Sequence, residues 1–299
     1  MGQVHGPRGS VNAELLVDAR HRLGECPLWC ERHEALWWTD IEGRTLSRWM
    51  AGAVREWTMP ARVGSFALCE REGQLLLGLE SGIALFEIAS ESLSPIVPVR
   101  NEQPGSRIND GRCDRQGRFV FGLFNPAEAP VGHFYRVDAD LRVEQLPLPP
   151  AAVANSIAFS PDGTTMYFAD SPARTIWRVD YGADGSLGEP SVFAVLPEGE
   201  GFPDGSAVDA EGGLWNARWR GHCVVRYDPE GRETARIALP VSQPTCPAFG
   251  GANLNRLFVT SARGGLKADS LRRYPHAGGV FAVPAGCRGL PESRFLTRD

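Results

Sequence analysis

Along the chain, a short apolar run preceded by a polar turn recurs six times. The runs are EALWWTD from Glu34, GQLLLGL from Gly73, GRFVFGL from Gly117, TTMYFAD from Thr164, GGLWNAR from Gly212 and NRLFVTS from Asn255. Their starts lie 39 to 48 residues apart, and six such units account for nearly the whole chain. Each run has the length and turn-bounded character of a β-strand. A second strand follows each: TLSRWM, IALFEI, HFYRVD, TIWRVD, CVVRYD and GVFAVP. These are rich in β-branched and aromatic residues and are bounded by Gly, Pro or Asp. A third precedes each unit: ECPLW, SFALC, NDGRC, NSIAF, DGSAV and CPAFG. A fourth fits the remaining stretch.

Each unit is then a four-stranded blade, and blades packed radially make a propeller. The expected fold is all-β, a six-bladed β-propeller in a single domain over residues 11–299. Residues around Leu15 to Val17 are expected to add a strand to the last blade and close the ring. The preceding MGQVHGPRGS, residues 1–10, reads as a disordered tail. A solenoid is the structural competitor; the hairpin series and the absence of helical periods disfavour it. The WD dipeptide signature of one propeller class is missing. Two hairpins share side-chain spacing: DIEGRTLSRW from Asp40 and DSPARTIWRV from Asp170 place Asp, Arg, Thr, an aliphatic residue and Arg alike. That matching suggests duplication of one hairpin, with Asp40 and Asp170 closing its turns. Trp37, Trp38, Trp177 and Trp215 fall in strands and are expected between blades. Trp219, in the loop-like RWRGH, is a candidate for the rim of a pocket, with Arg218 and Arg220 solvated beside it. The segment Gly264 to Gly279 interrupts the last blade as a short helix or rim loop.

The first strand of each propeller blade lines the central channel, so residues in matching register face one mouth. The repeat puts Glu25, Ser65, Asn109, Asn155 and Asp204 at that position, with Thr245 or Cys246 as the sixth. Two carboxylates and two amides converging on one ring make an oxygen-rich site, suited to a hard divalent cation. The same residue types also cap strands and turns, and register alone leaves both readings standing. The six His show no metal-ligand spacing.

A formal net charge of −5 with no Lys/Arg cluster argues against nucleic acid or an anionic membrane as partner. No apolar run is long enough for a transmembrane helix, and the start lacks the apolar stretch of a secretory signal. Seven scattered cysteines read as reduced thiols of a cytoplasmic protein. Cys26 and Cys30 have no second pair to complete a zinc site. No G-x-S-x-G elbow is present, so a serine nucleophile is not indicated.

The motifs LGECPLW, RINDGRCDRQGRFVFG, NSIAFSPDG, FPDGSAVDAEGGLW and FGG…LFVTSARGGL, taken in order, resemble the SMP-30/gluconolactonase/regucalcin-like family. The resemblance runs from Leu23 to Pro284. It implies one divalent metal cation in a central site held by Glu25, Asn155 and Asp204; Ca²⁺ is favoured, with Zn²⁺, Mg²⁺, Mn²⁺ or Fe²⁺ open. It implies substrate contacts by Arg107 and Asn109, and by an acidic residue for which Glu128 is the candidate. It implies hydrolysis of a sugar lactone to its aldonic acid, with Asp204 as the base. SFALCE and GRCDRQGRFVFG resemble bacterial pentonolactonases, which favours L-arabinono- or D-xylonolactone over gluconolactone. A monomer acting on this small molecule is expected. The alternatives are a non-catalytic metal- or ligand-binding propeller and an esterase for non-sugar lactones. Two positions depart from the family pattern: GECP stands where GEGP or GESP is usual, and NS where NG is usual.

Overall fold

The computed structural model describes residues 13–99, 104–127 and 129–297; the tail expected over residues 1–10 lies outside them. After β1 (Glu14–Val17), blade I holds β2 (Gly24–Cys30), β3 (Ala35–Asp40), β4 (Thr45–Met50) and β5 (Ala53–Thr58). Blade II holds β6 (Val63–Leu68), β7 (Gln74–Leu79), β8 (Gly82–Glu87) and β9 (Ser92–Pro98). Blade III holds β10 (Arg107–Cys113), β11 (Phe119–Phe124), β12 (Phe134–Val137) and β13 (Val143–Gln145). Blade IV holds β14 (Ala154–Phe159), β15 (Thr165–Asp170), β16 (Thr175–Asp180) and β17 (Ser191–Val195). Blade V holds β18 (Phe202–Val208), β19 (Leu214–Trp219), β20 (Cys223–Tyr227) and β21 (Glu233–Ala238). Blade VI holds β22 (Pro244–Gly250), β23 (Arg256–Ser261) and, after helix α1 (Ala268–Arg273), β24 (Val280–Pro284).

Blade VI has only three strands of its own, and β1 supplies the fourth. It pairs antiparallel with β24, with Leu15 opposite Phe281 and Val17 opposite Val280. The chain's first strand is thereby fastened to its last, which removes the open edge that an unclosed ring would present. The inner strands touch in ring order, β2, β6, β10, β14, β18, β22 and back to β2. A solenoid has no such closure.

Burial falls outward along each blade. Strands β6, β14 and β22 are buried throughout, whereas β5, β9 and β21 are mostly exposed. Aromatic rings fill the wedges between blades. Trp37 stacks on Trp57 at 5.3 Å, and Trp57 meets Phe86 of blade II edge-on at 6.3 Å. Phe134 of blade III meets Phe168 of blade IV at 5.2 Å, and Trp215 meets Phe249 across blades V and VI at 6.1 Å. Each such pair contributes about 1 kcal/mol beyond its buried area. The expected wedge role holds for all four strand tryptophans, Trp37, Trp38, Trp177 and Trp215. Trp38 clusters with Phe258 and Val280 of blade VI and donates Nε1–H to His21 Nε2, and half-buried Trp177 stacks on Phe168 in the cluster that takes in Phe134 of blade III. Arg218 departs from expectation: it is only 1% exposed, with its guanidinium over Tyr227. None of the seven cysteines is disulfide-bonded. No helix among the described residues is long and apolar enough to cross a membrane.

Asp40 does more than close its hairpin. Its carboxylate accepts from Gly43 N–H at 3.0 Å, and also from Leu23 and Arg22 N–H at 2.9 and 3.0 Å, which fixes the chain entering blade I. Asp170 does the same in blade IV, accepting from Ala152 and Val153 N–H. Burial alone would raise the Asp40 carboxyl; the hydrogen bonds from His21, Leu23 and Arg22 outweigh it and hold it at about 2. A depressed carboxyl stabilises the fold above its ordinary pKa of about 4, and that contribution fades as pH falls towards 2. Asp40→Ala should therefore cost about 2 kcal/mol at pH 7. The gap between the two urea unfolding curves should narrow as pH drops from 5 to 2. A constant gap would show that the carboxylate charge is not what matters.

Candidate active site

Each inner strand carries one extra residue against its neighbour. The ladder slips between Glu25 and Leu28, Val63 and Ser65, Ile108 and Gly111, Asn155 and Ala158, Pro203 and Ser206, and Pro244 and Pro247. Such bulges re-aim side chains and sharpen strand twist. Here six of them ring one end of the channel. Glu25 and Asn155 occupy the last ladder pair before their bulges, opposite Thr39 and Ala169. Asn109 and Asp204 lie within theirs. The repeat alignment set all four at one position; the ladders split them into two neighbouring ones.

These four side chains and Arg107 line one pocket of about 340 Å³. Its wall is completed by Leu23, Phe124, Val153, Ser171, Pro172, Phe202, Trp219 and Arg220. Ser65 and Thr245, in the same register list, do not reach it. Ser65 is fully buried with no partner for its Oγ among the described residues, and Thr245 spends its hydroxyl on the Gly24 carbonyl at 2.5 Å. Glu128 lies outside the described residues. Trp219 takes the rim position expected of it, and Arg220 lines the pocket beside it. Ser171 and Pro172 were not singled out, although they stand in the hairpin turn whose duplication the sequence shows.

A chain of hydrogen bonds crosses three blades on the pocket wall. Arg107 Nη1 donates to Asn109 Oδ1 at 2.5 Å. Asn109 Nδ2 donates to the Ala154 carbonyl at 2.8 Å and to Asn155 Oδ1 at 3.3 Å. Asn155 Nδ2 donates to Ser171 Oγ at 2.9 Å, and Ser171 donates onward to the Pro203 carbonyl at 2.7 Å. Both amides are thus locked in orientation. Arg107 lies with its guanidinium 4.6 Å from the centre of the Phe124 ring. It is 3% exposed, yet its Nε has no partner among the described residues. Burial draws it down to about 10, so it stays charged at neutral pH. A buried donor left unspent is costly unless a ligand takes it.

Glu25, half-buried, and Asp204, buried, reach into the same pocket from blades I and V. Burial, then the Asp110 charge, pushes the Glu25 carboxyl up. Burial, then the charges of Glu25 and Asp110, pushes Asp204 well above the usual range. Two carboxyls brought into one pocket share a proton or favour a cation between them.

A family model described as SMP-30/Gluconolactonase/LRE-like region matches residues 23–263. The chain belongs to that family. It is 49% identical over 300 residues to an L-arabinolactonase of Azospirillum brasilense, covering 99% of this chain and 98% of the relative. It is 36% identical to a 6-deoxy-6-sulfogluconolactonase of Pseudomonas putida, covering 91% and 94% of the two chains. The crystal structure of a calcium-binding protein, regucalcin, from Agrobacterium tumefaciens superposes with a TM-score of 0.90 at 32% identity, covering 96% and 98%.

The two departures from the family motifs fall on backbone that favours glycine. Cys26 has φ of 50° and Ser156 of 60°, both left-handed. A non-glycine residue there costs roughly 1–2 kcal/mol. Both side chains offset the strain with bonds to the next blade. Cys26 Sγ accepts from Phe66 N–H at 3.4 Å, and Ser156 Oγ donates to the Asp204 carbonyl at 2.6 Å. Ser156→Ala keeps the strain and loses the bond, so it should destabilise by about 1–2 kcal/mol. Ser156→Gly loses the same bond but relieves the strain, and should cost less. Denaturant melts that rank alanine as the milder change would refute this account.

Proposed function

We propose that the chain is a metal-dependent lactonase that opens a sugar aldonolactone to its aldonic acid, with L-arabinono- or D-xylonolactone favoured over gluconolactone. The observation that carries this reading is the Glu25–Asp204 pair on the floor of a sugar-sized pocket, flanked by Arg107 with a donor unspent. The donor set fits a hard divalent cation: two carboxylates with raised pKa values and an amide oxygen, that of Asn155, held in place by Ser171. Ca²⁺ is the favoured ion, since the similar regucalcin is a calcium-binding protein. When bound, such a cation supplies Lewis-acid polarisation of the lactone carbonyl and stabilises the negative charge that develops on its oxygen.

The chain's own residues do the rest. Arg107 and Asn109 orient the lactone, a placement effect that lowers the barrier without touching the reacting bond. Asp204 takes the proton of the attacking water and returns it to the ring oxygen as the C–O bond breaks. Trp219 and Phe202 offer apolar faces to the ring, and with Val153 and Pro172 they limit water. The identity to an L-arabinolactonase supports the pentonolactone preference. The absence of disulfides supports a cytoplasmic location, and a monomer suffices because one chain supplies every residue named here.

A pH-stat assay on a panel of aldonolactones tests the reading. Turnover should exceed the spontaneous rate, with pentonolactones ahead, and should vanish on chelation. Asp204→Ala should lower kcat by at least about 100-fold with its thermal melt preserved. Turnover retained in that variant removes Asp204 as base; no acceleration with any divalent ion removes the enzyme reading altogether. Because both carboxyls are raised, cation binding must displace a proton. Calorimetry should show affinity for Ca²⁺ climbing as pH rises from 5 to 8, with proton release at the low end. Affinity independent of pH would mean the pair is not the ligand.

A further inference from the structure

At the opposite end of β2 from Glu25, a second group of reactive side chains comes together. Cys30 ends the strand, and His33 follows it in the turn to β3. The Cys30 sulfur lies 3.4 Å from His33 Nδ1. The other ring nitrogen, His33 Nε2, lies 2.8 Å from a carboxylate oxygen of Glu72, in the turn between β6 and β7. Arg294, from the C-terminal segment, places Nη2 3.4 Å from the same sulfur. Thiol, imidazole and carboxylate thus stand in line through the two nitrogens of one ring, with a guanidinium on the sulfur. They cannot chelate an ion together, because the ring nitrogens face opposite ways. They can move a proton.

We propose that Cys30 is a peroxide-reactive thiol, with His33 as its base, Arg294 as the counter-charge of its thiolate and Glu72 as the residue positioning the imidazole. The cavity beside the sulfur, walled by Trp37, Leu68, Leu75 and Arg294, measures about 20 Å³. That is room for about one water-sized molecule. That scale suits only the smallest oxidants, of which hydrogen peroxide is one, and a glutathione-sized disulfide is far beyond it. In the reaction His33 takes the thiol proton, and the thiolate sulfur bonds to one peroxide oxygen. The O–O bond breaks, and the departing hydroxide takes the proton from the imidazolium and leaves as water. The sulfur is oxidised by two electrons to sulfenic acid, and the peroxide is reduced.

Cys287 provides the contrast. It is more exposed than Cys30, but its sulfur sits 3.6 Å from an Asp209 carboxylate oxygen, and burial and that charge push its thiol up to about 12. Exposure and electrostatics therefore make opposite predictions for the two thiols. Brief treatment of the full chain with hydrogen peroxide, then denaturation, alkylation of the remaining thiols and peptide mass spectrometry, reads each cysteine separately. Cys30 should lose its free thiol roughly tenfold faster than Cys287. His33→Gln and Arg294→Gln should each slow Cys30 by about tenfold without changing the rate at Cys287. Glu72→Gln should shift the pH midpoint of the Cys30 rate, which a merely structural role would leave in place. Cys30 reacting no faster than Cys287 overturns the proposal, as does an unchanged rate in folded His33→Gln and Arg294→Gln. If neither variant folds, the ratio of the two thiols in the unaltered chain decides alone.

Discussion

Two carboxyl groups brought to one channel mouth from separate blades are the constraint on which the architecture turns. Glu25 and Asp204 belong to blades I and V, with blade VI between them. Nothing local keeps them together, and their charges drive them apart. Their approach is sustained by ring closure: β1 paired onto β24 completes blade VI, and blade VI holds I and V at fixed separation. Strand pairing at the outer edge thereby supports an unfavourable electrostatic arrangement at the centre. The wall opposite the pair is rigid for a separate reason, the hydrogen-bond chain from Arg107 through Asn155 to the Pro203 carbonyl.

The fold was legible because a propeller repeats its chemistry. Apolar inner strands, turn residues and a near-constant period all point the same way, and the Leu15 strand was inferable from the incomplete last unit. The candidate site's residues were legible because polar residues interrupt the inner strands at neighbouring positions. What the sequence hid was the slip of the ladders. A bulge leaves no compositional mark, so Asp204 and Glu25 align as equivalents although they stand one position apart. It also hid why the motif carries Cys26 and Ser156: only the positive φ shows that these are glycine positions in which a side chain has found a bond across to the next blade. Arg218 misled for another reason. A guanidinium in a polar run reads as solvated, and its place over Tyr227 depends on blade packing that no local pattern encodes.

The channel has two ends, and the pocket lies at one of them. Residues 285–296 run across the other. Gly289 bridges to Asp209 of blade V, Phe295 bridges to Cys69 of blade II and is fully buried, and Leu296 N–H donates to the Gly117 carbonyl of blade III. Midway, Glu292 meets Arg112 in an ion pair at 2.5 Å, both side chains mostly buried. Burial alone would lower the Arg112 guanidinium; the charges around it, Glu292 first and Asp110 among them, more than reverse this.

That ion pair bears on the pocket floor. Arg112 is the cation that faces Asp110 inside the channel, and Asp110 in turn raises both Glu25 and Asp204. Arg112 therefore serves two carboxyls at once: it pairs with Glu292 of the strap and lowers Asp110 in the channel. Asp110 also accepts from Gly111 N–H at 2.8 Å and from Ile157 N–H at 2.7 Å. Burial outweighs all three and leaves the Asp110 carboxyl raised. The C-terminal strap thus closes the end of the channel opposite the pocket and fixes the cation that faces Asp110 from that side.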